Sequence, residues 1–318
     1  MQWNKKGRIL IPEEHLTWSS SHAQLPVADQ SIVNDRLRIY FSTRDSSNRS
    51  LPAWVDVNAS NPTEIVAISK GPLLTLGRPG TFDDCGVMPS CIVNYHGLKY
   101  MYYIGWNVRS TIPFHNSVGL AVSEDGGNSW RRYSEGPLWD RDTVEPFFSG
   151  TSCVYVDENS MWHNWYLSCT EWRQVRNKME PRYNIKYATS HNGVNWHRSG
   201  QVAIDYKSDE EAGLVSATII KSSGRLHMWF AYRNIDGYRT DAAQSYRIGY
   251  AVSDNGKDWL REDSASGISV SDTGWDSDMV CYPHVVDLGA EFLMLYNGNG
   301  FGSSGFGFAT SGFIDCNE

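Results

Sequence analysis

One short pattern recurs along this chain and limits what it can fold into. It reads VGLAVSEDGGNSW at 118–130, IKYATSHNGVNW at 185–196, IGYAVSDNGKDW at 248–259 and, shortened, FGFATSG at 306–312. Ser123, Ser190, Ser253 and Ser311 hold the same place in each copy, about 60 residues apart. Each copy follows a pair of β-rich runs with Gly, Asn or Asp between them: PSCIVNYHGLKYMYYIGW (89–106), TSCVYVDENSMWHNWYLSC (151–169), SATIIKSSGRLHMWFAYR (216–233) and PHVVDLGAEFLMLYNG (283–298). Such a pair is a hairpin signature. A more diverged copy comes first, LPVADQSIVNDRLRIYFSTRD (25–45) followed by LPAWVDVNAS (51–60).

Each copy therefore supplies a hairpin, a third strand and a turn into a fourth. Four antiparallel strands repeated five times predict an all-β fold, a single five-bladed β-propeller over residues 1–318. The blades are expected near 19–62, 83–135, 145–200, 210–263 and 276–315. The first 18 residues are free to add a strand to the last blade. Asp125, Asn192 and Asn255 stand where a side chain can accept from turn amides, and Gly126, Gly193 and Gly256 where φ turns positive. The run SEDGGNSW (123–130) resembles the Asp-box turn of sialidases and other propellers, which implies a structural role.

Composition narrows the function. The formal net charge of −8 argues against nucleic acid as a partner. No apolar run is long enough for a membrane span. MQWNKKGRILIPEEH lacks the apolar core of a signal peptide. The expectation is a cytoplasmic protein whose six cysteines, Cys85, Cys91, Cys153, Cys169, Cys281 and Cys316, are reduced. None forms a CxxC pair, and the histidines show neither HxH nor HExxH spacing, so no metal site or cofactor is expected. A calcium or sodium ion in the central channel is left open. Thirteen Trp, 17 Tyr and 11 Phe fill a β-rich core for the most part and also suit stacking on sugar rings.

The mouth of a propeller channel lies just before each innermost strand. Asp84, Glu211 and Asp278 share that position, and Glu145 lies one residue off it. Carboxylates converging on one funnel raise at least one pKa, which yields an acid and a base at neutral pH. These four are the catalytic candidates, with caps on loop amides as the plain alternative. His22 and Gln24 stand at the same level in the first copy. A second ring follows from the ends of the second strands: Arg44, Asp45, Trp106, Asn107, Glu171, Trp172, Arg233 and Asn297. With Asp83, these are the substrate-binding candidates. Asn and Asp take sugar hydroxyls, Trp stacks, and Arg clamps a carboxylate or phosphate.

The repeats with GWDSDMVCYP, TFDDCGVMPS and YRIGYAVSDNGKDW resemble the five-bladed propeller superfamily of glycoside hydrolases. That group includes the arabinanase and xylosidase family 43, the invertase and levansucrase families 32 and 68, and the mannoside phosphorylase family 130. Within it, the chain is most similar to bacterial proteins associated with surface-polysaccharide genes. The resemblance implies a carbohydrate substrate and action on a glycosidic bond, with a non-catalytic glycan-binding or polysaccharide-assembly propeller as the alternative. It carries the blade 2 acid to Asp84, or else Asp83, and the blade 3 acid to Glu145, or else Glu171. The blade 1 acid has no counterpart: the position holds Leu25 and Pro26, and Asp45 lies one strand later. That departure leaves room for phosphorolysis with Arg44 and Arg233 on the phosphate, or for transfer. Oligomeric state is not legible.

Overall fold

A computed structural model describes residues 1–312; Cys316 and the last residues of the fifth predicted repeat lie outside them. Twenty strands account for nearly all of the regular structure. The first five are β1 (Asn4–Leu10), β2 (Ser21–Ala28), β3 (Arg36–Arg44), β4 (Ser50–Asn58) and β5 (Ile65–Ile68). Next come β6 (Gly86–Tyr95), β7 (Leu98–Val108), β8 (Phe114–Ser123) and β9 (Arg131–Arg132). Then follow β10 (Ser149–Val156), β11 (Trp162–Val175), β12 (Lys178–Ser190) and β13 (Trp196–Ile204). The rest are β14 (Val215–Ser222), β15 (Arg225–Tyr232), β16 (Arg247–Ser253), β17 (Leu260–Arg261), β18 (Cys281–Asp287), β19 (Phe292–Asn297) and β20 (Phe306–Ser311).

Three sheets are four-stranded and antiparallel, in the orders β10-β11-β12-β13, β14-β15-β16-β17 and β1-β20-β19-β18. A fourth sheet joins two such runs, β2 to β5 and β6 to β9, through one parallel bridge between Ser50 and Gly86. Strand β1 pairs with β20, Lys5 opposite Ala309, so the first and last strands share a sheet as the free N-terminal segment allowed. The innermost strands touch in the order β2, β6, β10, β14, β18 and back to β2.

Local chemistry explains the strands and their turns. The β6–β7 hairpin turns through His96 and Gly97, φ 50° and 79°, and the β14–β15 hairpin through Ser223 and Gly224, φ 52° and 80°. Two successive residues at positive φ match the right-handed twist of the flanking strands. The recurring serine pattern closes the next turn. Ser123 Oγ accepts from the amide of Gly127 at 2.8 Å, and Asp125 Oδ1 from those of Asn128 and Ser129 at 3.0 and 2.9 Å. Ser190 with Asn192 and Ser253 with Asn255 repeat the arrangement. The Asp-box resemblance thus describes turns that launch the outer strands.

Between sheets, alternating apolar residues interlock. Trp162, Trp165 and Trp229 are fully buried; Trp165 packs against the turn glycine Gly256 of the neighbouring repeat, and Trp162 against Gly193 of its own. Among the described residues no helix is long and apolar enough to cross a membrane.

Candidate functional site

Every innermost strand carries an irregularity of register at one level: Gln24/Val27, Pro89/Cys91, Ser149/Ser152, Val215/Thr218 and Cys281/His284. Leu25, Ser216 and Tyr282 hold positive φ there, at 56°, 56° and 54°. Non-glycine residues in that region are strained and persist only where the surroundings impose them. Asn297 does this for Leu25. It is fully buried, accepts from the Leu25 amide at 2.9 Å, and donates to Ala23 O and Gly305 O at 2.7 Å each.

Above this level opens a cavity of about 490 Å3, within the size range of small-molecule sites. Its floor is Leu25, Met88, Thr151, Val215 and Tyr282, one residue from each innermost strand. Aromatic walls come from Trp106, Phe114, Phe148, Tyr183, Tyr238 and Tyr246. The polar side chains include His22, Gln24, Arg44, Arg233 and Arg239. No aspartate or glutamate is among the residues lining it. Below the floor, a void of only about 10 Å3 is bordered by residues of all five innermost strands, including Ser90, Thr151, Ser216 and His284.

Arg44 donates to Asn48 Oδ1 at 2.7 Å and to Gln24 Oε1 at 3.3 Å, and its Nε has no partner. Burial pushes the Arg44 pKa down. Burial, and then the Arg44 charge, lowers His22 to about 4, so the His22 ring is neutral at pH 7. Arg233 is 2% exposed. Its guanidinium donates to the carbonyls of Asn234 and Pro181 at 2.9 and 3.2 Å and lies 3.8 Å from the Tyr238 ring centroid. Tyr183 and Tyr246, joined hydroxyl to hydroxyl at 2.7 Å, complete its surroundings.

The four acids proposed from the repeat do not meet in this cavity. Glu145 is buried between Lys186 Nζ at 2.9 Å and Arg198 Nη1 at 2.5 Å, with the Tyr166 hydroxyl donating to it at 2.9 Å. Glu211 takes two hydrogen bonds from Arg261, at 2.8 and 2.6 Å, and one from the Lys207 amide. In the other two repeats the equivalent buried acid is a neighbour of the residue chosen. Asp83, rather than Asp84, accepts from Arg132 at 2.8 Å and Tyr103 at 3.1 Å. Asp276, rather than Asp278, accepts from Lys5 at 2.6 Å and Tyr296 at 3.0 Å. Asp84 is half-buried, with Oδ2 on the Gly80 amide at 2.8 Å and Oδ1 unpartnered. Asp278 is exposed.

The recurring acid is therefore a fastener. It sits in the segment entering each innermost strand and grips a cation on the outermost strand of the same antiparallel run: Arg132 on β9, Arg198 on β13, Arg261 on β17, Lys5 on β1. In the first run Trp18 replaces it with a neutral bond, Nε1 to Ser69 O at 2.8 Å. Single-sequence spacing found the recurrence but set it one residue late in the second run and two residues late in the last. The signal missed was the basic residue two places after a tryptophan: Trp130 and Arg132, Trp196 and Arg198, Trp259 and Arg261, Trp3 and Lys5.

Of the expected substrate-binding set, His22, Gln24, Arg44, Trp106 and Arg233 line the cavity together. Trp172 packs behind the wall on Phe114 and Phe148. Glu171 is held by Arg173 and Arg182, Asp45 by the amides of Ser47 and Arg49, and Asn107 donates to Thr81 O. Asn297 is the structural pin described above. The wall tyrosines Tyr183 and Tyr246 went unnoticed, although YNIKY (183–187) and YRIGY (246–250) place them at equivalent positions of two repeats. Among the described residues no group of three or more His, Cys, Asp and Glu is placed to hold a metal ion.

No protein-family model matches the chain. Solved structures share its fold. A glycoside hydrolase superposes with a TM-score of 0.74 over 98% of this chain and 92% of its own, at 16% identity. A thermostable family-43 glycoside hydrolase gives 0.65 over 95% and 94%, also at 16%. These are propeller-type glycoside hydrolase structures, and the likeness concerns the fold. In sequence, "Uncharacterized protein Rv1502" of Mycobacterium tuberculosis (strain ATCC 25618 / H37Rv) is 37% identical over 309 residues, 97% of this chain and 99% of the relative. "Uncharacterized protein MT1551" of strain CDC 1551 / Oshkosh matches to the same extent. At that identity over nearly the full length of both, the chain belongs to the family of these mycobacterial proteins, built on the fold of the family-43 glycoside hydrolases.

Proposed function

We propose that this protein is a five-bladed propeller that binds a carbohydrate in the cavity above its innermost strands, and that binding rather than bond cleavage is what the cavity is built for. The closed order of contacts from β2 through β18 and back supports five blades around one axis. One observation carries the functional reading: the cavity lining is aromatic and cationic, with no carboxylate. Glycosidic cleavage by two carboxyls needs an acid and a base flanking the bond about 5–10 Å apart. Glu145 and Glu211 are instead committed to buried ion pairs, and the floor residue from each innermost strand is uncharged. Trp106 offers a sugar-stacking face, its Nε1 held by Ser50 Oγ at 3.1 Å.

The test pairs a glycan-binding array with an assay for reducing-end release on the same glycans. Binding without release is expected, and Trp106→Ala should weaken the best hit at least tenfold, about 1.4 kcal/mol. Release by the wild-type protein that Asp84→Asn abolishes would restore the hydrolytic reading.

A further inference from the structure

We infer that the carbohydrate this cavity takes is anionic, with a carboxylate or phosphate group seated against Arg44 in the cavity that Arg44 lines with Tyr282 and Arg233. The inference rests on the binding role proposed above and adds the ligand's charge.

The argument is one of uncompensated charge. Most partly buried arginines of this molecule have an anionic partner: Arg38 with Asp56, Arg132 with Asp83, Arg198 with Glu145 and Arg261 with Glu211. Arg239, at the cavity rim, has Glu180 at 2.5 Å. Arg44 and Arg233, in the cavity lining, differ, as does the half-buried Arg247, which is not among the lining residues and bonds only backbone carbonyls. Every acceptor recorded for Arg44 and Arg233 is neutral: Asn48, Gln24, two backbone carbonyls and the Tyr183 hydroxyl. Both leave Nε without a partner. A buried cation with neutral partners alone is costly, and an anion that excludes water beside it repays that cost.

Both cations line the one cavity, together with Tyr282. The Tyr282 ring centroid is 5.6 Å from that of Tyr246, which in turn faces Arg233. Arg233 is enclosed by three tyrosine rings, so it acts as a fixed positive charge behind them. Arg44 is half-buried, and its planar guanidinium at the cavity lining suits the two oxygens of a carboxylate or phosphate. His22 beside it, neutral at pH 7, adds no second charge but can donate or accept a hydrogen bond to the sugar. With no carboxylate in the lining, an anion meets no like charge on the cavity surface itself.

The test uses the full chain on an array of neutral, uronate-bearing and phosphate-bearing glycans, followed by calorimetry on the strongest hit and on its uncharged counterpart, the methyl ester or the dephosphorylated glycan. The expected result is hits concentrated among the acidic glycans, at least a tenfold preference over the uncharged counterpart, and a preference that shrinks as salt rises. Arg44→Gln should bring the ratio of acidic to uncharged affinity towards one, and Arg44→Lys should restore part of it. The uronate and phosphate arms separate the two sources of the charge. Hits confined to neutral glycans, or an Arg44→Gln protein with the full preference, would overturn this inference and leave the binding role standing. No hit in any class would overturn both. Thermal melts of each variant confirm that the fold persists, which matters less for Arg44 at the rim than for Arg233.

Discussion

At the scale of residues, the same acid type does one job several times over. Glu145 shows what it contributes: its carboxylate answers two cations and a tyrosine hydroxyl in a nearly dry site. Glu145→Gln would leave Arg198 and Lys186 buried without a full countercharge. Removing one partner of a buried pair costs about 3–5 kcal/mol, and urea denaturation of the variant should show a loss of that size. Glycan affinity should stay within twofold of wild type, because the site does not open on the cavity. A second residue-scale expectation concerns acid. His284 is enclosed beside the narrow axial void, and burial lowers its pKa from 6.5 to about 4. Its Nε2 has no partner. The folded state therefore stays neutral there while the unfolded chain takes up a proton below about pH 6.5. Stability is full above that pH and falls as pH drops towards 4, with a slope of at most ~1.4 kcal/mol per pH unit from this one group. His284→Asn should flatten the fall of Tm between pH 6.5 and 4; an unchanged profile would assign the acid sensitivity elsewhere.

At the scale of elements, the irregular innermost strands matter more than the regular outer ones. A flat strand would point alternate side chains along the channel; the shifts of register turn Leu25, Thr151 and Tyr282 up to form a floor. Asn297, from the end of β19, makes one of these bends affordable through three buried hydrogen bonds. Asn297→Ala should cost about 2–4 kcal/mol, from three bonds at roughly 1 kcal/mol each and the buried carbonyls left open. Glycan binding should weaken with it, since the Gln24 and Leu25 positions both face the cavity. A variant as stable as wild type would mean the bend holds itself.

At the scale of the molecule, the all-β architecture of four-stranded antiparallel runs was readable because its pattern recurs along the chain. Each copy averaged out local ambiguity, so the hairpins and the turn glycines followed from pattern, while the first 18 residues were only left free for the strand that β1 forms beside β20. The site was less readable, and the reason is physical. A register of one or two residues is invisible to spacing when acids come in clusters such as Asp83-Asp84 and Asp276-Ser277-Asp278. Which member turns inward depends on a cation 49 residues away in the case of Arg132 and Asp83. Of the second ring, Arg44, Trp106 and Arg233 lie at or beside the ends of β3, β7 and β15 and line the one cavity, while Asp45, Asn107, Glu171, Trp172 and Asn297 are not among the lining residues.

The pairing of β1 with β20 sets an order of events in the life of the chain. On the ribosome, β1 emerges before any other strand, and the strand it pairs with emerges some 300 residues later. Until then its apolar Ile9 and Leu10 and the Lys5 that will grip Asp276 have no partner in their final sheet. The two halves of this clasp are made some 300 residues apart, so the sheet of β1, β20, β19 and β18 can close only after the chain between them has been synthesised.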